Sequence, residues 1–119
     1  MLRQPPSIDS FGGGGFRVSG VWRAGSLLIL DDAPQDWVAR SVPDLTPADF
    51  ADVIAGGPAL SEFILLGTGA DQALPPRPVR DAIAAAGLGL EFMSTEAAAR
   101  LHNVLASEGR RFATALIAV

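Results

Sequence analysis

Three places in the chain carry residues whose type and spacing could do chemistry. The stretch EFILLGTGADQALPP, residues 62–76, runs an apolar segment into Gly67, Thr68 and Gly69 and then into a loop rich in Asp and Pro. A strand that opens into glycines is how many phosphate cradles begin, because free backbone N–H groups there can meet an anion. Asp31 and Asp32 follow another apolar run, and adjacent carboxylates could hold a cation. His102 and Asn103 place a proton-transfer group next to an amide.

The phosphate cradle fits poorly. A dinucleotide fingerprint needs a third glycine where this chain has Gln72, and it needs a helix that starts inside the motif. Pro75, Pro76 and Pro78 delay that helix to about residue 77. Glu91 lies near where a ribose-binding acid would belong, but the rest of the pattern is missing. No lysine is present, which excludes a Walker loop. The residues read better as a sharp turn at the carboxyl end of a strand, with Gly67 and Gly69 taking positive φ and the prolines stiffening the loop beyond. Open α/β sheets place their sites at that end. Gly67, Thr68, Gly69, Asp71, Leu74 and Pro75, with Thr95 at the start of a later helix and His102 and Asn103 further along it, therefore form the candidate interaction or ligand edge. Asp31 and Asp32 read as a solvated turn. His102 falls beside the Ala98/Leu101/Leu105 stripe, at the boundary of a buried face, which suits a structural residue. Asn103 is expected to bond backbone across the loop edge.

Composition excludes several function classes. The 119 residues include no Cys, no Lys, no Tyr and one His. Disulfides, thiolate nucleophiles, Schiff bases and Cys-type zinc sites are thereby ruled out. No catalytic set, metal site or cofactor motif assembles, and the chain reads as non-enzymatic. Net charge is −4 and the nine basic residues are scattered, so the footprint of a nucleic-acid binder is absent. Hydrophobic residues make up 49% and charged residues 18%, a globular balance with room for an apolar contact patch. No apolar stretch reaches the ~18 residues that a membrane span needs. The first ten residues lack the apolar core of a secretory signal, and the expected location is cytoplasmic.

The elements that must position the candidate edge follow from pattern. Residues 1–7 read as a loose tail, and residues 8–119 as one domain. SIDSFGGGGFRVSGVW suggests two short strands around a glycine turn. GSLLILDD is a buried strand, and APQDWVAR adds an edge strand near Trp37. Thr46, Pro47 and Asp49 mark a helix start, and Gly56, Gly57 and Pro58 its stop. Thereafter strand and helix alternate: EFILLGT, then residues 77–87, then LGLEFM, then residues 94–109, then RRFATALIAV. That alternation implies parallel pairing, and the unbroken apolarity of ATALIAV implies a central strand. The expected fold is a three-layer single α/β domain. It has a central mixed, partly parallel sheet flanked by helices, and an N-terminal β-hairpin.

GTG…LPP, AAGLGLEFMSTEAAARLHNVLASEGRRFATALIAV and GGFRVSG…GSLLIL together resemble a small α/β family. That family includes mitochondrial complex I assembly factor 3, a vertebrate adipogenesis-associated protein and many prokaryotic proteins of unknown function. The resemblance covers residues 8–119 and implies the same three-layer fold. It carries over no catalytic residue. It implies a protein partner, with membrane-bound subunits of the respiratory NADH dehydrogenase as the expected class. The chain departs from the family at Ala70, Asp71 and Gln72, where basic residues are common, and at Ala99, Leu101 and His102, where Cys, Thr and Tyr are common. Two functions are therefore expected in order: a non-enzymatic interaction or assembly factor, or a small-molecule binding module or minor enzyme that uses the edge at residues 67–69. The oligomeric state stays open.

Overall fold

Glycine-permitted turns and short alternating strands build the N-terminal part of the computed structural model, which describes residues 3–119. Strands β1 (Ile8–Gly12), β2 (Gly15–Val18) and β3 (Val21–Ala24) form an antiparallel sheet in that order. The expected two-strand hairpin thus gains a third strand, returned by the Ser19-Gly20 turn, where both residues have positive φ. Gly15 is needed for close approach, since a Cβ there would collide with the Arg23 carbonyl oxygen. Phe16 and Val18 are buried, and Arg17 between them is exposed.

The central sheet holds β4 (Ser26–Leu30), β5 (Ala33–Trp37), β6 (Phe63–Gly67), β7 (Gly89–Met93) and β8 (Ala113–Leu116). Their order is β5-β4-β8-β6-β7. β4 pairs antiparallel with β5 and β8, whereas β6 pairs parallel with β7 and β8. The expected mixed sheet with a central last strand is therefore present. Asp31 and Asp32, at φ 51° and 61°, make the two-residue turn between β4 and β5. Asp32 is not merely solvated there, because it pairs with Arg3 at 2.9 Å.

Among the described residues three α-helices complete the domain: α1 (Ala51–Leu60), α2 (Arg77–Ala85) and α3 (Thr95–Ser107). A 3-10 turn, Pro47–Phe50, leads into α1 with the expected capping box between Thr46 and Asp49. The stop at Gly56–Pro58 is a break rather than an end. Gly57 leaves helical geometry at φ 57°, and one further turn runs to Leu60. Trp37 fastens this region to β5 by donating its indole N–H to the Asp49 carbonyl at 2.9 Å.

Two cores lie on opposite faces of the central sheet. Leu28, Ile64, Leu66, Ala113 and Ala115 pack against Phe50, Val53, Val79 and Ile83. Leu27, Ile29, Leu65 and Leu116 pack against Phe16, Val18, Ala98 and Ala99. The strands thus divide their side chains by the period of two, and α3 shares its layer with the small sheet. Within residues 3–7, Arg3 and Pro6 make contacts to the rest of the domain. Arg3 also bonds the carbonyls of Gly109 and Arg110, and the Pro6 carbonyl is taken up by His102. Residues 1–2 of the expected loose tail lie outside the described residues.

Candidate functional site

The carboxyl ends of β5, β6, β7 and β8 share one edge of the sheet, because the β4–β5 hairpin returns the chain parallel to β8. The loop after β6 dominates that edge. Thr68 donates its N–H to the Met93 carbonyl at 2.8 Å. Its hydroxyl lies 2.6 Å from the Asp71 carbonyl oxygen and 3.0 Å from that of Met93, and it accepts from the Ala73 N–H at 3.2 Å. Arg80 reaches back to the Pro75 carbonyl at 3.0 Å. The loop is stiff through these bonds as well as through its prolines.

The two glycines serve different ends. Gly69 has φ +104°, as the turn reading expects. Gly67 does not have positive φ, which corrects that reading. It ends β6 with ordinary angles, and a Cβ there would stand 3.0 Å from the Thr95 Cα. Glycine at 67 admits the first turn of α3 against the sheet. Thr95 is fully buried and joins three elements. Its hydroxyl accepts from the Gly69 N–H at 2.9 Å and donates to the Ile117 carbonyl at 2.7 Å. Its own N–H meets the Gly69 carbonyl at 2.8 Å, and the Ala97 N–H meets the Ser94 hydroxyl. The Thr95 and Ala97 donors at the start of α3 are engaged internally, which weakens the feature a phosphate cradle exploits.

His102 and Asn103 stand apart from this edge, two helical turns or roughly 10 Å along α3 from Thr95. His102 is not at the boundary of a buried face. The buried face of α3 runs through Thr95, Ala98, Ala99 and His102, and Leu101 and Leu105 are only partly covered. Its Nε2 lies 2.9 Å from the Pro6 carbonyl, which can only accept, so Nε2 carries the proton and Nδ1 accepts from the Thr114 hydroxyl at 2.7 Å. Burial holds this imidazole below its ordinary pKa, opposed by the Pro6 bond and the charge of Asp32. Asn103 does not bond across the loop edge either. It pairs with β1, accepting from the Ile8 N–H and donating to the Ile8 carbonyl, both at 2.8 Å.

A groove of about 520 Å³ opens at the carboxyl edge. One wall is the β6 loop with Thr68, Asp71 and Ala73, and the other is the chain leaving β5 with Arg40, Ser41 and Val42. Ile117 and Ala118, which come after β8, make its floor. Leu74, next to Ala73, is 61% exposed, and Val38, two residues before Arg40, is 76% exposed. Of the residues expected at a site, Gly67, Thr68, Gly69, Asp71, Leu74, Pro75 and Thr95 are brought together. Arg40 and its wall were not expected. The signal that could have found them is the hairpin at Asp31 and Asp32, which brings the end of β5 to the same edge. Among the described residues no helix is long and apolar enough to cross a membrane.

A family model described as a protein of unknown function (DUF498/DUF598) matches residues 8–117. An uncharacterised protein of Rhodobacter capsulatus is 38% identical over 113 residues, covering 92% of this chain and 82% of that protein. A crystal structure described as an outer membrane protein of Bartonella henselae superposes with TM-score 0.87 at 30% identity, covering 100% of this chain and 99% of that one. The solution structure of a Bordetella pertussis protein, described as an Mth938-like domain, superposes with TM-score 0.79 at 25% identity, covering 98% of this chain and 90% of that one.

Proposed function

The chain belongs to the DUF498/DUF598 family of proteins of unknown function, and from that premise we propose that it is a non-enzymatic interaction protein presenting the carboxyl edge of its sheet to a protein partner. One observation carries this reading: the hydroxyls of the edge and the imidazole and amide further along α3 are committed to the scaffold, while Leu74 stands exposed on the loop after β6. The hydroxyls of Thr68 and Thr95, both ring nitrogens of His102 and the amide of Asn103 all have partners inside the protein. Acid–base or nucleophilic chemistry needs such groups free to meet a substrate. Leu74, by contrast, projects from a stiff loop, and a loop already ordered loses little entropy when it docks.

The resemblance to a family containing a respiratory-complex assembly factor supports membrane-bound subunits of NADH dehydrogenase as the partner class, met from the cytoplasm. The test is affinity capture from the native host with membranes included, comparing the parent with Leu74→Asp. Recovery of specific partners should fall about five-fold, the ~1 kcal/mol that separates contributing contacts from neutral ones, while the melting temperature stays within a degree or so. Equal recovery would discard the β6 loop as the interface and shift attention to the small sheet around Phe11 and Trp22.

The volume of this shallow, open groove supports a second reading, a small-molecule binding module, because ~300–1,000 Å³ is the usual range for ligand pockets. Leu74→Asp lies outside the groove lining and separates the two, since it should leave the binding of a small ligand within the groove unchanged.

A further inference from the structure

Opposite charges stand on opposite walls of the groove. Arg40 belongs to the wall leaving β5, and Asp71 to the wall leaving β6. Both residues are exposed. Arg3, Arg23, Arg77, Arg100 and Arg110 each meet a carboxylate elsewhere on the molecule. Among the described residues neither Arg40 nor Asp71 has an ion-pair or hydrogen-bond partner for its side chain, and the two do not pair with each other. Asp44 and Asp49 share a neighbouring depression with Arg40. Each is already engaged, Asp44 by the Ser41 hydroxyl and Asp49 by the Thr46 N–H. Between the charges the accessible apolar surface comes from Pro43, Ala73, Ala118 and Val119, over Val42 and Ile117, which are buried in the core.

We propose that this groove seats an extended peptide segment of a partner, apolar along its middle, with an acidic side chain against Arg40 and a basic one against Asp71. The inference rests on the reading of this edge as an interaction surface and names the segment that the edge holds. Fixed opposite charges on facing walls contribute mainly specificity: they select the direction in which a segment lies and reject like-charged neighbours. An extended chain rises about 3.3 Å per residue and turns alternate side chains to opposite faces. Such a chain can lay apolar side chains on Pro43, Ala73 and Ala118 while its charged residues meet the walls.

The test uses the full chain, labelled with nitrogen-15, and three synthetic peptides: acetyl-Glu-Leu-Val-Leu-Arg-amide, acetyl-Arg-Leu-Val-Leu-Glu-amide and acetyl-Gln-Leu-Val-Leu-Gln-amide. One charged order should shift the amide resonances of residues 69–73 and 117–119. It should bind at least about five-fold tighter than the neutral peptide at low salt, with the advantage shrinking as salt screens the walls. The double variant Arg40→Asp with Asp71→Arg should transfer the preference to the opposite order. If all three peptides shift the groove amides equally, the charge selection is overturned and the interaction reading of the edge survives. If no peptide shifts those amides, or the shifts map to another surface, the peptide groove itself is overturned. The Leu74→Asp capture then decides the fate of the edge separately.

Discussion

Thr95 and Gly69 exchange two hydrogen bonds at the junction of β6, β8 and α3. The Gly69 N–H donates to the Thr95 hydroxyl at 2.9 Å, and the Thr95 N–H donates to the Gly69 carbonyl at 2.8 Å. The same hydroxyl then directs its proton toward the Ile117 carbonyl. One buried side chain therefore fixes the β6 loop, the first turn of α3 and the floor of the groove in a single arrangement.

Removing that hydroxyl at constant shape is the sharpest probe of the junction. Thr95→Val should destabilise the protein by roughly 2–4 kcal/mol, because it strands a buried donor and a buried acceptor at ~1–3 kcal/mol each with partial relief by water. Urea unfolding of parent and variant measures this. A loss below about half a kcal/mol would mean the junction is held by packing alone.

The glycines of the loop should fail for different reasons. Gly69→Val forces a β-branched residue to φ +104° and should lower stability by at least ~1–3 kcal/mol. Gly67→Ala suffers no φ strain, but it brings a methyl group to 3.0 Å from the Thr95 Cα and 2.7 Å from a Leu116 methyl carbon. It should cost about 1–3 kcal/mol by overpacking. The distinguishing measurement is a double variant. Gly67→Ala with Leu116→Val should recover part of the loss if crowding is the cause, and Gly69→Val with Leu116→Val should recover none.

His102 predicts a pH dependence with a definite sign. Its folded pKa lies below the ordinary ~6.5, so the unfolded chain binds the proton first as pH falls. The stability it contributes is present above about pH 6.5 and declines on acidification toward the folded pKa. Unfolding free energies at pH 7.5 and 5.5 should therefore differ more for the parent than for His102→Gln, which has no proton to gain. Parallel declines in the two proteins would place the acid sensitivity elsewhere.

The last strand should be indispensable. Leu116 is fully buried between the sheet and α3, and Leu116→Ala should remove ~2–5 kcal/mol. Deleting residues 112–119 takes away the strand that joins β4 to β6, and the truncated chain should show no cooperative unfolding transition by far-UV circular dichroism on heating. A truncated chain that still unfolds cooperatively would show the sheet closing without β8.

What the sequence alone determined about this protein is everything whose cause lies within a few residues. The Thr46-to-Asp49 box starts α1 because its two hydrogen bonds are local. Gly87 and Gly109 come after the ends of α2 and α3, both at positive φ. The continuous apolarity of ATALIAV marked β8 as central, because only a strand covered on both faces tolerates it. The alternation of strand and helix after residue 62 then dictated parallel pairing. Only the tertiary structure decided the rest, because its causes join residues distant in the chain. Gly67 is small on account of Thr95. His102 is buried because Pro6 and Thr114 together satisfy both ring nitrogens, a pairing that no helical stripe foretells. Arg40 faces the groove because a two-residue turn at Asp31 and Asp32 carries β5 back to the edge where β6 and β8 end. Local pattern specifies which elements form, and packing alone specifies which side chains they bring face to face.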